Sequence, residues 1–228
     1  FLNGQKIITL ACNGNHAADL AVGFLRSEGF IRDAADLLQL EVSDERRVVS
    51  VSTKGEACIP FNGKNTGKTI ASSGARSWVR DDIRDSSKSV FENRVYISPK
   101  IAFTLVEKLI GSSHFHAITG GTHSSALAQG ESIIVVREDI GRHNTIDMLG
   151  GYALLNKIDC SDKIIVRTGR VSLEIVNKVW NLGIPLIISL SVPTSTAIQA
   201  SMEAGITLIG SVRGGKMNVY SHEWRVVI

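Results

Sequence analysis

The chain has 228 residues, of which 43% are hydrophobic and 21% are charged, and its formal net charge is +3. This length and composition are typical of one large or two small globular domains with a substantial core. The charge is too small for a nucleic-acid-binding surface, and no apolar run is long enough to span a bilayer, but a mildly basic protein suits an anionic ligand.

The cysteines indicate a reduced protein. Cys12, Cys58 and Cys160 are odd in number and far apart, and they form no CxxC pair. Such usage favours a cytoplasmic location and gives no support to a disulfide framework. The chain begins with Phe1 rather than methionine, so we expect it to start inside a longer native chain.

Residues 1–90 predict a smaller α+β part of the molecule. Apolar residues on one face predict a helix that ends at Gly29, and strand-like runs cover 37–42 and 47–52. The stretch 55–77 is rich in Gly, Ser, Asn and Lys, and alternating charges continue it to 87. This composition predicts a mobile loop over about 55–87.

Residues 91–228 predict an α/β domain. Ser98-Pro99 predicts a helix start with its body over 101–110, and two apolar runs around Gly130 predict a hairpin. Helices are then predicted over 145–157, 172–182 and 194–204, alternating with strands over 163–168, 186–190 and 206–210, and a last strand covers 217–220. This alternation favours a parallel sheet with right-handed crossovers.

The predicted strand ends share a polar and basic character. The residues that follow four strands are Arg137, Glu138 and Asp139; Thr168, Gly169 and Arg170; Ser191 with Pro193, Thr194 and Ser195; and Ser211, Val212, Arg213, Gly214, Gly215 and Lys216. The carboxyl ends of parallel strands meet at one edge, where ligands of open α/β sheets bind. Arginine forks and glycine backbones at that edge predict a phosphate-bearing ligand.

Several of these segments also fit a purely structural role that involves no ligand. The stretch 213–216 fits an ordinary turn, and in the stretch 119–123 the two glycines permit a close backbone approach to a ligand, whereas His123 fits a hydrogen-bonded structural residue. The charged run 137–143 fits a structural cluster of ion pairs at a strand end as well as a binding site. A metal site among the histidines, or a hydrolase that uses His143 with Glu138 or Asp139, matches no known zinc or serine-hydrolase motif.

Taken together, six stretches resemble the formate dehydrogenase accessory protein family, the FdhD-type sulfurtransferases. They are DLAVGFLRSEG at 19–29, TGGTH at 119–123, EDIGRHN at 138–144 with Asp147, GRVSLE at 169–174, SVPT at 191–194 and NVYSH at 218–222. Each stretch is weak evidence by itself. Their occurrence in the family's order, from about Leu10 to the end of the chain, is specific.

The resemblance implies a fold and a function. The implied fold is a cytidine-deaminase-like three-layer α/β/α sandwich without zinc, in a protein that dimerises. The implied function is a sulfur carrier that takes sulfur from a cysteine desulfurase as a persulfide. It passes this sulfur to the molybdenum or tungsten bis-molybdopterin guanine dinucleotide cofactor, which is then inserted into the catalytic subunit of formate dehydrogenase.

The resemblance also implies cofactor-binding residues. Ser211 to Lys216 are the family's cofactor-binding stretch. With it we expect Arg170 to hold phosphates and Glu138, Asp139, Arg142 and His143 to shape the floor of the cofactor crevice. The acidic pair alternatively fixes the loop by pairing with the neighbouring arginines.

One departure concerns the sulfur-carrying residues. The family carries its persulfide on a Cys-Gly-x-Cys motif, whereas this sequence reads ASSGARS at 71–77. Serine cannot hold a transferable sulfur, because the chemistry needs a thiolate. Either the chain has lost the motif and is a cofactor-binding chaperone, or four residues are missing from the sequence between Ser73 and Gly74; the start at Phe1 and the Gly/Ser-rich composition of this stretch favour the second. Of the cysteines present, only Cys58 is a candidate substitute, because Cys12 and Cys160 fit packing positions.

Overall fold

A computed structural model describes residues 1–45, 47–54, 68–70 and 95–228. The predicted persulfide position between Ser73 and Gly74, and Cys58, lie outside these residues. The described chain divides into two compact units: residues of 1–83 with 139–158, and residues of 84–138 with 159–228. The predicted boundary at 90/91 lies close to the break at 83/84, and 139–158 join the first unit. No helix within the described ranges is both long and apolar enough to cross a membrane.

The first unit combines two small sheets with two helices. Strand β1 (Ile8–Leu10) pairs in parallel with β4 (Lys68–Ile70), and β2 (Leu37–Ser43) pairs antiparallel with β3 (Val48–Thr53). The helices are α1 (Ala17–Ser27) and α4 (Asn144–Leu155). The predicted helix and both predicted strands of this part are confirmed. Strand β4 lies within the stretch predicted as a loop, since pairing with β1 provides a ladder that composition does not reveal.

Helices α1 and α4 cross with their backbones almost in contact. A Cβ atom on Gly23 would lie 1.7 Å from the carbonyl oxygen of Asp147, and one on Gly151 would lie 1.9 Å from that of Asp19. Residue 23 faces 147 and residue 19 faces 151, so the helices run antiparallel. Ser27 Oγ also donates a hydrogen bond of 2.8 Å to Asp147. The close crossing therefore positions the start of α4, where the charged run 137–143 ends.

The second unit contains a six-stranded sheet with the order β10-β9-β8-β7-β5-β6. Its strands are β5 (His123–Gln129), β6 (Ser132–Asp139, whose last residue belongs to the first unit), β7 (Ile164–Arg167), β8 (Leu186–Ser189), β9 (Thr207–Arg213) and β10 (Lys216–Ser221). Its helices are α2 (Pro99–Gly111), α3 (His114–Thr119), α5 (Leu173–Leu182) and α6 (Ser195–Ala204). The predicted helix start holds, because Ser98 Oγ accepts the amide of Ile101 at 3.3 Å.

The strand directions bring the predicted strand ends to one edge. Strands β7, β8 and β9 are parallel, and β5 is antiparallel to β7. Strand β6 follows β5 through a two-residue turn and lies beside it, so it runs in the direction of β7. The carboxyl ends of β6, β7, β8 and β9 therefore share an edge, as the alternation predicted.

Helices cover both faces of this sheet. Leu105 and Leu109 of α2 pack on Val166, Ile188 and the neighbouring core residues of one face. Helix α6 packs against β9 and β10, and α5 lies beside α6. The mixed α/β architecture is confirmed, and the cytidine-deaminase-like sandwich stays a prediction. The short helix α3 was not predicted, because six residues are too few to show a helical period.

Candidate functional site

A strip of hydroxyl and backbone groups ties the strand ends of the second unit together. The amide of Thr168 donates to Ser124 O at 3.0 Å, and the amide of Ser124 donates to Thr168 Oγ1 at 3.1 Å. Ser191 Oγ donates to Thr168 O at 2.8 Å, and the Ser211 amide donates to Ser191 O at 3.3 Å. Loops of four neighbouring strands are thus fixed to one another, which gives a ligand a preorganised edge.

Glu138 anchors helix α3 to this edge. Its carboxylate accepts the amides of Phe115 at 3.1 Å and His116 at 3.0 Å, and the Ser124 hydroxyl at 3.0 Å. A carboxylate that accepts the first amides of a helix supplies the partners those amides lack. The structure therefore gives Glu138 a positioning contact with α3, in addition to its predicted place near a ligand.

The Gly-Gly segment after α3 forms a turn. Gly120 has φ of 60°, and its amide donates to His116 O at 2.9 Å, which ends the helix. His116 Nδ1 donates to Thr122 O at 2.6 Å, so the proton sits on Nδ1. Gly120 therefore serves as the C-terminal cap of α3, a role that the sequence analysis did not assign to it.

Arg170 lies in the loop after β7. Its side chain is exposed, whereas the preceding Arg167 is fully buried and donates from Nε to Gly169 O at 2.9 Å. Ser189 Oγ donates to the same oxygen at 3.1 Å. These two hydrogen bonds fix the loop backbone at Gly169, and Arg170 is exposed to solvent at the predicted edge.

The stretch 211–216 is the hairpin between β9 and β10. Gly214 and Gly215 form its two-residue turn with φ of 59° and 71°, as a type I′ turn requires. Arg213 and Lys216 flank the turn as direct cross-strand partners, and both side chains are exposed. Within the described ranges, no acidic side chain forms an ion pair with either. Two like charges directly opposite each other cost about 0.2–1 kcal/mol, which an anion between them would relieve.

A β-bulge sets the direction of Arg213. Asn218 pairs with Gly210 and Lys216 with Arg213, so two residues of β9 oppose the single Met217 of β10. Ser211, one of the two, has φ of 56°. The Val212 side chain is 1% exposed and packs in the core, so only its backbone is available to a ligand. Bulges of this kind re-aim a neighbouring side chain, here that of Arg213.

The remaining predicted site residues belong to the first unit. Asp139 is fully buried; its Oδ2 accepts the amide of Asn13 at 2.8 Å, and its Oδ1 accepts the Gly141 amide at 2.8 Å and Asn144 Nδ2 at 2.7 Å. Arg142 and His143 are half-buried and directly precede α4. Asp139 organises the start of α4, whereas its neighbour Glu138 serves the second unit.

Two cysteines lie within the described residues. Cys160 is buried, as its predicted packing position requires, and Cys12 is half-buried. Burial raises the pKa of Cys12, an amide hydrogen bond from Gly14 lowers it, and the negative charge of Asp139 raises it further. A raised thiol pKa reduces the thiolate fraction at neutral pH, so Cys12 is poorly suited to persulfide chemistry. Among the residues that the structure describes, no cluster of three His, Cys, Asp or Glu could hold a metal ion.

Known proteins resemble the chain over nearly its whole length. The sequence model of the FdhD/NarQ family matches residues 1–227. The chain belongs to this family. A sulfur carrier protein FdhD of Bacillus subtilis (strain 168) is 35% identical over 229 residues, which cover 99% of the chain and 86% of the relative. One of Geobacillus kaustophilus (strain HTA426) is 34% identical, with 100% and 86% covered.

A solved structure shares the fold. It is described as a formate dehydrogenase accessory protein from Desulfotalea psychrophila, and it superposes with a TM-score of 0.78 over 97% of the chain and 88% of its own length. Its sequence is 20% identical, so the likeness supports the architecture alone. The match to the family model and the sequence identity to the two relatives confirm the family resemblance seen in the six stretches.

The sequence predicted that the strand ends share one edge of the sheet, but it did not reveal the hydrogen bonds that link them. Ser124, Thr168 and Ser191 link the strand ends, and nothing in their spacing marks them, because the bonds between them join residues more than twenty positions apart. The one usable signal was the recurrence of Ser and Thr at the predicted strand ends.

Proposed function

We propose that the chain is a sulfur carrier for formate dehydrogenase that binds the guanine dinucleotide cofactor at the edge of the second unit. It takes sulfur from a cysteine desulfurase and passes it to the molybdenum or tungsten bis-molybdopterin guanine dinucleotide before insertion into the enzyme. Membership of the FdhD/NarQ family and the names of its relatives support this role. The observation that carries the binding step is the opposed, exposed pair of Arg213 and Lys216.

The cation pair suits a diphosphate. Arginine offers a planar fork to phosphate oxygens and lysine a point charge, and both side chains lie on one face of the hairpin. The bulge and the two-glycine turn hold the backbone that carries them. Arg170 adds a third exposed cation two strands away on the same edge. A ligand with several phosphates, such as a guanine dinucleotide, complements this arrangement.

Titration with GDP, which carries the terminal part of the cofactor, tests the binding step. We expect Arg213→Ala and Lys216→Ala each to weaken GDP binding about two- to fivefold, the range for exposed charge pairs, and added salt to weaken it further. Lys100→Ala is the matched control, because Lys100 is an exposed cation on α2 of the same unit. Equal affinity in all four proteins would remove the hairpin from the binding site.

The cysteines favour a second candidate function, a cofactor-binding chaperone that carries no sulfur. The half-buried Cys12 with its raised pKa and the buried Cys160 are poor persulfide carriers, which leaves Cys58 or a Cys-Gly-x-Cys motif between Ser73 and Gly74 as the thiol. Transfer by a carrier requires a thiolate that takes a sulfane sulfur from the desulfurase persulfide and later releases it, returning to a thiolate.

Mass spectrometry after incubation with a cysteine desulfurase and cysteine separates the two functions. The tryptic peptide that starts at Thr69 ends at Arg76 in the given sequence. A heavier peptide that fits a Cys-Gly-x-Cys insertion, with one additional sulfur atom after loading, supports the carrier. An unchanged peptide, with no added sulfur on Cys58 and GDP binding intact, supports the chaperone.

A further inference from the structure

Three Asn-Gly pairs occur in the chain, at 3–4, 13–14 and 62–63. An asparagine that precedes glycine is prone to lose its side-chain amide, because glycine has no side chain that hinders attack by its backbone nitrogen. Spacing and composition do not rank the three pairs. The pair 62–63 lies outside the described residues, and the hydrogen bonds of the other two differ.

The first pair is held by its own turn and by a residue of β3. Asn3 and Gly4 form the two-residue turn between Leu2 and Gln5, which exchange two backbone hydrogen bonds of 2.9 Å. Thr53 fixes both ends of the Asn3 side-chain amide: Nδ2 donates to Thr53 Oγ1 at 3.1 Å, and Oδ1 accepts the Thr53 amide at 2.9 Å. Reaction between Asn3 and Gly4 therefore requires this turn to open first.

The second pair lies in the irregular segment before α1, where Gly14 is exposed. Asn13 Oδ1 accepts the backbone amide of Asn15 at 3.0 Å. Such a local turn holds the side-chain carbonyl of an asparagine beside the backbone of the next two residues. The Gly14 amide donates to the sulfur of Cys12, which is a weak acceptor, so the attacking nitrogen is only weakly held.

The hydrogen bond from Asn15 also favours the reaction. When the Gly14 nitrogen attacks Cγ of Asn13, negative charge develops on Oδ1, and the Asn15 amide already donates to that atom. The nitrogen gives up its proton, Nδ2 takes up a proton and leaves as ammonia, and a cyclic succinimide remains. Water then opens this ring at either carbonyl carbon, which leaves aspartate or isoaspartate at position 13.

We propose that Asn13-Gly14 is a site of spontaneous deamidation in the folded protein, whereas Asn3-Gly4 is protected. This reactivity is independent of the proposed function. Its product alters the contact with Asp139, which accepts the backbone amide of residue 13 at 2.8 Å. Aspartate adds a second carboxylate near Asp139, and isoaspartate lengthens the backbone by one carbon. Because Asp139 also binds Gly141 and Asn144, we expect the modification to loosen the start of α4.

The test keeps the full chain in warm, mildly alkaline buffer and measures deamidation by mass spectrometry after digestion with trypsin. The three pairs fall in separate peptides, 1–6, 7–26 and 55–64, and fragment ions distinguish Asn13 from Asn15. We expect Asn13 to react about tenfold faster than Asn3, the effect of one or two additional hydrogen bonds on the slower site. In denaturant the two rates should become nearly equal, because both residues precede glycine.

A variant of Thr53 tests the protection of Asn3. Thr53→Val keeps the shape of the side chain but removes the hydroxyl that accepts from Asn3 Nδ2, so Asn3 should react about fivefold faster while the rate at Asn13 is unchanged. Equal rates at Asn3 and Asn13 in the folded chain would overturn the proposal. It would also be overturned if folding slowed Asn13 as strongly as it slows Asn3.

The consequence for α4 is tested with the product itself. Asn13→Asp introduces the carboxylate without the wait, and hydrogen exchange at the amides of Gly141 and Asn144 should become faster than in the unmodified protein. Asn15→Asp is the matched control, because it makes the same chemical change on an exposed side chain two residues away. Exchange that is equal in the two variants would refute an effect through Asp139.

Discussion

Replacing Gly23 by alanine should separate helices α1 and α4. The added Cβ would meet the carbonyl oxygen of Asp147 at 1.7 Å, half of the 3.4 Å at which ordinary contact begins. The obstacle is helix backbone, which cannot rotate away as a side chain would. Overpacking of this kind typically costs about 1–3 kcal/mol, and the improved helix propensity of alanine returns up to about 1 kcal/mol. We expect a net loss of about 1–2 kcal/mol of unfolding free energy.

Denaturant unfolding measures this loss, and hydrogen exchange locates it. The amides of α1 and α4 should exchange faster in Gly23→Ala, while those of the six-stranded sheet keep their protection. Gly111→Ala is the matched control, because Gly111 is also helical and an added Cβ would meet nothing within 4 Å. It should leave stability unchanged or raise it by up to about 1 kcal/mol. If Gly23→Ala proves as stable as Gly111→Ala, the close crossing of the two helices is wrong.

The other predictions concern the two neighbouring carboxylates. Glu138→Ala removes the acceptor of two α3 amides, so hydrogen exchange at the amides of Phe115 and His116 should become faster. Glu138→Asp should restore part of the protection, and unchanged exchange in Glu138→Ala would contradict the contact between Glu138 and α3. Asp139→Asn places an amide donor among three donors and should cost about 1–3 kcal/mol of unfolding free energy. The same change removes a negative charge that raises the pKa of Cys12, so alkylation of Cys12 should set in at lower pH than in the unmodified protein. Burial and Asp139 raise the pKa of Cys12, so the folded state holds the thiol proton more tightly than the unfolded state does. The contribution of Cys12 to the unfolding free energy should therefore be constant below the pKa of the unfolded thiol and fall as the pH rises from there through the pKa of the folded thiol, which denaturant unfolding at several pH values measures.

Local patterns predicted most of the sheet and its connections. The helix start at Ser98-Pro99 and the strand-helix alternation from residue 163 each depend on neighbouring residues, so they could be inferred from the sequence. The direction of the strands then placed Arg170 and Arg213 on one edge.

Long-range contacts account for what the sequence did not reveal. Strand β4 exists through its pairing with β1, sixty residues earlier, and the neighbours Glu138 and Asp139 serve different units because the chain passes from one to the other between them. The face that Arg213 occupies also depends on a bulge, and no pattern in the letters SVRGGK marks it.

That bulge lets the hairpin hold one residue more than a regular ladder without turning Arg213 away from Lys216. The side-chain period of a strand is two, so the extra residue at Ser211 is what lets Gly210 and Arg213 lie on the same face while Ile209 and Val212 both reach the core. Deleting Ser211 would leave Gly210, Val212 and Arg213 in regular alternation, so Val212 and Arg213 would keep their faces and only the local twist of the bulge would be lost. Functional homologues that lack this residue should therefore still carry an exposed cation opposite Lys216, and those that keep the bulge should have serine, asparagine or glycine at position 211, where φ is positive.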